Sequence, residues 1–352
     1  MISPQVAALR AVGQIEGYLR DISVLEERLE QIPLWQPAAV LRRQAAEARR
    51  LIAAIQARMD RRLVVTLIGP SGAGKSTLLN ALAGVDDLSP VGTRRPTTQS
   101  LVVLSNDRPA VDQLLAPVTA GSIDVHTSPA AELLDHTILV DTPDTDSMEE
   151  QVHKEILVPL VEHSDVLICV FDAQNPKRRD HTDFMAPLVR RFHGAALVVA
   201  INKCDRLDAH ELTEVVGPDV DAYLKTAWQV RPAAVLLISA RRHLQQPGWD
   251  PQADPRHELD QFAQLRELVF ASFDQAGFGK DVRIGNAGQI RDYIVAEVGR
   301  AARQDRPALQ GALEKMNTAG RTALQQALET LRMDDRHRIL GVQVRLYQAL
   351  AQ

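Results

Sequence analysis

The sequence predicts an α/β fold, a mostly parallel sheet covered by helices, with further helices at both ends of the chain. Three observations predict it. Short β-rich runs at 63–68, 101–104, 137–140, 166–171, 196–201 and 234–238 alternate with helical segments, the pattern of strands joined by crossover helices. Before and after this zone apolar residues recur every three or four positions, as on one face of a helix. The first run also enters a glycine-rich turn, Gly69-Pro-Ser-Gly-Ala-Gly-Lys-Ser-Thr77, that opens a helix. The expected layout is an N-terminal helical region at 1–62, a sheet domain at 63–275 and a C-terminal helical region at 276–352.

The bulk properties narrow the class. The chain has 352 residues, 45% of them hydrophobic, and a net charge of −5. That gives room for one domain of ordinary size with an attachment, and apolar content for a full core. A pI near 6.1 argues against gripping nucleic acid by bulk charge. Cys169 and Cys204 both lie in apolar, strand-like runs and read as small core residues in a reducing compartment. Without a signal-like start or a run of about 18 apolar residues, the expected location is the cytoplasm, at most peripheral to a membrane. Ten histidines are scattered without metal-ligand spacing.

In chain order, the first helix carries the stripe Val12, Ile15, Leu19, Ile22, Leu25, Leu29 and Ile32, and Pro33 and Pro37 break it. A second helix carries Val40, Leu41, Ala45, Ala48, Ile52, Ile55 and Met59. The sheet zone follows, with a Pro- and Gly-bearing loop at 245–256 before its last helix. Beyond it, Pro307 is placed to start a helix with the stripe Leu309, Leu313, Met316, Leu324, Leu328 and Leu331. These stripes need burial, most cheaply against each other.

Gly69, Gly74, Lys75 and Ser76 fit the phosphate-loop pattern. Leu63-Val-Val-Thr-Leu-Ile68 enters as a buried strand, and Leu78, Leu79, Ala81 and Leu82 leave at helical spacing. Gly72 and Gly74 let the backbone curl so that its N–H groups point inward at phosphate oxygens, and the following helix adds its positive end. Lys75 supplies a point charge for the β- and γ-phosphates and Ser76 a hydroxyl for Mg²⁺. Ser71, Ala73 and Thr77 complete the nucleotide-binding loop. The same wording serves several classes of nucleotide enzyme, so the base and the reaction must be read elsewhere.

Ile138-Leu-Val-Asp-Thr-Pro143 is an apolar strand that ends in Asp141, a carboxylate placed to hold Mg²⁺, usually through water. A further strand ends in Asn202-Lys-Cys-Asp205. The Asp205 carboxylate can accept both the ring N1–H and the exocyclic amine of guanine, whereas adenine would leave it unpaired; sites of this kind reject the wrong group by about 10⁴–10⁵. Asn202 can brace the loop, and the Lys203 stem can lie on the ring face. Ser239-Ala-Arg241 closes the next strand, with a backbone N–H near Ala240 for the guanine O6.

In this order and spacing, these residues resemble the Ras-like, translation-factor-related GTPase superfamily over 63–275. The resemblance implies a six-stranded, mostly parallel P-loop GTPase sheet with nucleotide at the carboxyl ends of the strands, GTP as substrate, GDP as product and Mg²⁺ as cofactor. ABC ATPases lose, because the chain lacks their Leu-Ser-Gly-Gly-Gln type signature. Monophosphate kinases lose because they have no need of Asn202-Lys-Cys-Asp205.

The chain also departs from the family. Gly92-Thr-Arg-Arg-Pro-Thr-Thr-Gln99 is switch-like. Thr97 and Thr98 resemble the Thr-Thr pair of the Era-like branch and Thr93 the dynamin branch; Thr98 is favoured as the Mg²⁺ and γ-phosphate threonine, then Thr97. Arg94 and Arg95 are either a solvated pair or transition-state charges. Asp144 stands where the family has glycine, and Thr145 follows it, so no water-positioning residue is evident and slow intrinsic turnover is expected. The excess length near 107–135 is a partner-binding insertion or a surface loop.

Helices on both sides of the domain resemble the dynamin-like plan, which implies a flanking bundle moved by nucleotide state. The expected activity is a dynamin-like or Era-like GTPase; the rival is a GTP-binding scaffold activated by a partner or by assembly. GTP and GDP are the expected partners, with a homodimer through the sheet domain or the bundle as a further one. Membrane or ribosome association is not specified by the sequence.

Overall fold

The computed structural model describes residues 4–89, 101–116, 123–126, 134–142, 157–176, 185–245 and 258–350. Its strands are β1 (Leu63–Ile68), β2 (Leu101–Leu104), β3 (Ile123–His126), β4 (Thr137–Asp141), β5 (Val166–Asp172), β6 (Leu197–Asn202) and β7 (Ala234–Leu237). They form one sheet in the order β3-β2-β4-β1-β5-β6-β7. All pairs are parallel except β2 with β4. The six expected runs are therefore all strands, and β3 adds a seventh. That strand lies in the 107–135 stretch, together with a helix at Arg108–Leu115. Asp107 caps this helix by accepting the Ala110 N–H at 3.0 Å. Residues 117–122 and 127–133 of the stretch lie outside the described residues, as does most of the loop expected at 245–256.

β1 sits between β4 and β5, and all six of its residues are buried. Continuous apolar runs such as Leu63–Ile68 suit a parallel strand covered on both faces. One core cluster joins β1, β5 and β6 to Leu78, Leu79, Leu82 and Trp228. Another joins Val64, Leu101, Val103, Ile138 and Val140 to Val111 of the Arg108–Leu115 helix. Both cysteines are buried and free, as expected of core residues.

The flanks begin with helices α1 (Pro4–Glu30) and α2 (Ala38–Ala57). Ile15, Ile22, Ala45, Ile52 and Ile55 pack with Ala287, Ile290 and Ile294 of the C-terminal helix. This is the helical bundle of the two flanks. Val12, Ile32 and Val40 of the expected stripes stay 40–49% exposed at its margin.

The C-terminal helix runs Phe278–Leu350 with Pro307 inside it, so Pro307 does not start a helix. A proline there removes one backbone hydrogen bond and costs about 3 kcal/mol. Its neighbours, Ala301, Ala302, Arg303, Gln304, Ala308 and Leu309, are strong helix formers that offset the loss. The chain divides into two compact units, Met1–Ile294 and Val295–Gln352. In the second, Leu309, Leu313, Met316, Leu324, Leu328 and Leu331 are 48–72% exposed. The expected burial of that stripe is not met, because a helix by itself cannot close over its own apolar face. Among the described residues no helix is long and apolar enough to cross a membrane.

Within the first unit a buried ionic joint ties flank to sheet. Arg283 is 1% exposed and Asp165, just before β5, is fully buried. The guanidinium donates to both Asp165 carboxylate oxygens, at 3.0 and 2.6 Å. It also donates to the carbonyls of Met59, Arg61 and Arg62 at 2.7–3.1 Å. Asp165 accepts the Val64 N–H at 3.0 Å and faces Arg58 at 3.4 Å. Burial pulls the Arg58 guanidinium down in pKa, with Asp165 opposing it. Asn286 completes the joint by donating to the Asp165 carbonyl and accepting the His193 N–H, both at 2.9 Å.

Candidate nucleotide site

The site stands at the carboxyl ends of β1, β4, β5 and β6 and at the turn after β7, where ligands bind in open parallel sheets. After β1 the chain turns through Gly72 (φ +77°) and Gly74 (φ +92°), left-handed conformations that glycine adopts without strain. Helix α3 (Lys75–Ala83) starts at once. A side chain at Gly69 would bring its Cβ to 2.4 Å from the Val170 carbonyl oxygen, and one at Gly74 to 2.3 Å from Asn202 Nδ2. Both glycines are therefore demanded by close neighbours, and Gly74 by its backbone shape as well.

Lys75 is buried, and its Nζ donates to the carbonyls of Gly69 and Pro70 at 2.8 and 3.2 Å. It thus curls over the loop whose amides it would share with phosphate. Ser76 Oγ donates to Asp141 Oδ2 at 2.8 Å, and the carboxylate is fully buried at the end of β4. Among the described residues no cluster of three or more His, Cys, Asp or Glu forms a protein-only metal cage. A hydroxyl and one carboxylate beside a phosphate loop fit Mg²⁺, which takes hard oxygen ligands and usually only one or two carboxylates plus phosphate oxygens.

The residues expected to read the base converge on the same loop. Asn202 Nδ2 donates to the Ala73 carbonyl at 2.9 Å, and Asn202 Oδ1 accepts the Ala240 N–H at 3.0 Å. One side chain therefore ties the phosphate loop to the Ser239–Arg241 turn. The Ala240 N–H expected to meet guanine O6 is spent on Asn202 here. Lys203 takes a left-handed conformation (φ +69°). Its ammonium donates to the Gly72 carbonyl and pairs with Asp172 at 2.6 Å.

Asp205 is held by a second layer. Its N–H donates to Ser239 Oγ at 3.1 Å, and Arg242, 2% exposed, stands 3.7 Å from its carboxylate. Ser239 donates its own N–H to Asp260 at 3.2 Å. Asp260 also meets His243 Nε2 at 2.8 Å. Cys204 Sγ lies 2.9 Å from Ser239 Oγ, and burial pushes its thiol up to about 11.

The structure thus brings together Gly69, Ser71, Gly72, Ala73, Gly74, Lys75, Ser76, Thr77, Asp141, Asn202, Lys203, Asp205, Ser239 and Ala240; Arg241 lies at the exposed rim of the same turn. Thr93, Thr97, Thr98, Arg94, Arg95, Asp144 and Thr145 lie outside the described residues. Asp172, Arg242, Asp260, Asn80 and Ser89 were not singled out from the sequence. Only Asp172 carried a signal there, a carboxylate at a strand's carboxyl end.

Residues 64–203 match the model of the 50S ribosome-binding GTPase family. No curated protein matches the chain. Among solved structures, one member of an oligomerised bacterial dynamin pair that senses and tethers membranes is 14% identical, with a TM-score of 0.45. The match covers 87% of this chain and 59% of that one. Era from Aquifex aeolicus bound to GDP and AlF4⁻ is 22% identical over 51% of this chain and 52% of its own, with a TM-score of 0.35. A GTP-binding protein from Sulfolobus solfataricus in complex with GDP is 16% identical over 75% and 66%, with a TM-score of 0.34. The chain spans little more than half the length of the first of these, and all three are likenesses only. The family match lies over the loop, Asp141 and Asn202, so residues 64–203 of this chain are similar to a P-loop GTPase domain.

Proposed function

We propose that the chain binds GTP with Mg²⁺, hydrolyses it to GDP and phosphate, and passes the nucleotide state to the helices packed on the domain. The observation that carries this reading is Asn202, which bridges Ala73 and Ala240 beside the Asp205 carboxylate. That assembly has no use in a phosphate site alone, because it builds a base pocket onto the loop. Asp205 pairs with the guanine N1–H and amine, and the Lys203 stem covers the ring. The loop N–H groups and Lys75 hold the β- and γ-phosphates, with Lys75 trading the Gly69 and Pro70 carbonyls for stronger anionic acceptors.

Ser76 and Asp141 hold the metal side of the phosphates, completed by Thr98 or Thr97. When bound, Mg²⁺ supplies neutralising charge between the phosphates. Catalysis is then mainly positioning and charge stabilisation. We assign the sheet domain to 63–275, with helical regions at 1–62 and 276–352. The further partner is a second copy, through the domain or the bundle.

Two measurements test the reading. Competition of GDP and ADP against a fluorescent GDP, repeated in Asp205→Asn, tests the base; ADP competing as well as GDP would sink it. Single-turnover hydrolysis with a Lys75→Ala control tests the reaction. A second reading is a GTP-binding scaffold with little intrinsic turnover, favoured by Asp144 and Thr145 in place of the usual glycine and water-positioning residue. GTP bound tightly but not hydrolysed by dilute chain would select it. Turnover alone, with liposomes and with ribosomes then separates a membrane target from a ribosomal one.

A further inference from the structure

We propose that Ser89 is a further residue of the Mg²⁺ site and that Asn80 is the residue that positions it, an inference that rests on the GTP·Mg²⁺ reading above. Asn80 lies on α3 one turn after Ser76, on the same face, and is fully buried. Its amide oxygen accepts the Ser89 N–H at 2.7 Å. Its amide nitrogen donates to the Ser89 carbonyl at 2.9 Å and to the Asp86 carbonyl at 2.7 Å. A side-chain amide that takes both the N–H and the C=O of one residue fixes that backbone in two directions, much as a strand neighbour does. Aspartate lacks the donors for this, and leucine lacks both groups.

With its backbone pinned, Ser89, also fully buried, directs its hydroxyl at Asp141 Oδ2, 3.0 Å away. Ser76 donates to the same oxygen at 2.8 Å. Two hydroxyls on different elements therefore hold one buried carboxylate oxygen. A buried carboxylate is held in one orientation by such donors. The Ser76 oxygen must also face the metal, so its direction is tied to the ligand; the Ser89 hydroxyl instead extends from a backbone that Asn80 holds. It keeps the carboxylate plane set before nucleotide arrives, so that less order is lost on binding.

The clasp and the hydroxyl can be separated, because all three Asn80 bonds go to backbone atoms. Ser89→Ala keeps the loop and removes only the donor to Asp141. The test uses the full chain and a fluorescent GDP, with affinity measured across a Mg²⁺ titration and again in EDTA. We expect Ser89→Ala to raise the Mg²⁺ needed for half-maximal tightening by about tenfold, the scale of one hydrogen bond to a charged group. Affinity in EDTA stays within about twofold, and Ser89→Thr restores the Mg²⁺ midpoint. Asn80→Asp moves the midpoint in the same direction. If the alanine variant does not fold, Ser89→Cys, a weak donor of similar size, gives the same readout. An unchanged or lower midpoint overturns the inference, as does an equal loss of affinity in EDTA, which would mark a role in folding alone. Wild-type chain that binds fluorescent GDP without any Mg²⁺ effect would fail the GTP·Mg²⁺ reading itself and take this inference with it.

Discussion

Replacing Arg283 by methionine tests the joint between the C-terminal helix and the sheet. The methionine retains much of the apolar stem and removes the guanidinium. Five hydrogen bonds go with it, two to Asp165 and three to the carbonyls of Met59, Arg61 and Arg62. Asp165 is left with the Val64 N–H and with Arg58 at 3.4 Å. Breaking one partner of a buried ion pair typically costs 3–5 kcal/mol. At about 2 °C per kcal/mol for a domain of this size or larger, the expected fall in Tm is roughly 6–10 °C. Thermal unfolding followed by circular dichroism measures it. Lys225→Met is the control, since Lys225 pairs with Asp221 on an exposed helix face, where such pairs are worth about 0.3–0.5 kcal/mol. A fall below about 3 °C for Arg283→Met, or one no larger than the control's, would refute the claim that this joint holds the flank to the sheet.

Gly74→Ala sets a Cβ 2.3 Å from Asn202 Nδ2 at a backbone φ of +92°, so fluorescent-GDP binding should fall by about 100-fold or more, with strain and a broken brace acting together. Asp172→Asn removes the carboxylate that pairs with Lys203, so GDP should dissociate faster by several-fold in stopped-flow displacement while Mg²⁺ dependence stays unchanged. Cys204 should resist iodoacetamide in the folded chain at pH 8, because burial pushes its thiol to about 11, and should label on unfolding, where thiols titrate near 8.5. The same raised pKa means that between those two values the unfolded chain binds fewer protons than the folded one. Stability should therefore fall as pH rises through that window in pH-dependent denaturant titrations.

The nucleotide site was legible because its parts are contiguous words at strand ends. Gly69–Thr77 and Asn202–Asp205 each carry their chemistry in a few consecutive residues, and the apolar runs before them announce the strands. What was not legible depends on neighbours in space. Asp172 matters because β5 lies beside β6, which sets it against Lys203. Asn80 and Ser89 matter because the loop after α3 folds back onto the helix. Arg283 and Asp165 are 118 positions apart, and neither motif nor periodicity links them. The helical stripes were read well where a second apolar surface exists, as for Ile15, Ile22, Ile52 and Ile55. They misled for Leu309–Leu331, where periodicity reports a helix but not what covers it. Pro307 misled for a related reason, since a helix propensity summed over many good formers outweighs one breaker.

The sheet itself decides how a nucleotide could be felt at the flank. Val64, which donates to Asp165, stands near the start of β1, and Gly69 follows its end. Five steps of the chain separate them, about 16 Å at the usual rise. Asp165 likewise precedes β5, and Asp172, the partner of Lys203, closes it. The ionic joint and the nucleotide site therefore occupy opposite ends of the same two buried strands. Groups this far apart normally contribute additively, within about 0.3–0.5 kcal/mol. A relay from nucleotide to bundle requires more than that. If it exists, the stability lost in Arg283→Met should change between GDP and a non-hydrolysable GTP analogue by more than about 0.5 kcal/mol, after allowing for the affinity of each ligand. If the losses agree within that limit, the strands act as a rigid spacer. The proposed passage of nucleotide state to the helices would then have to run by another route or be given up.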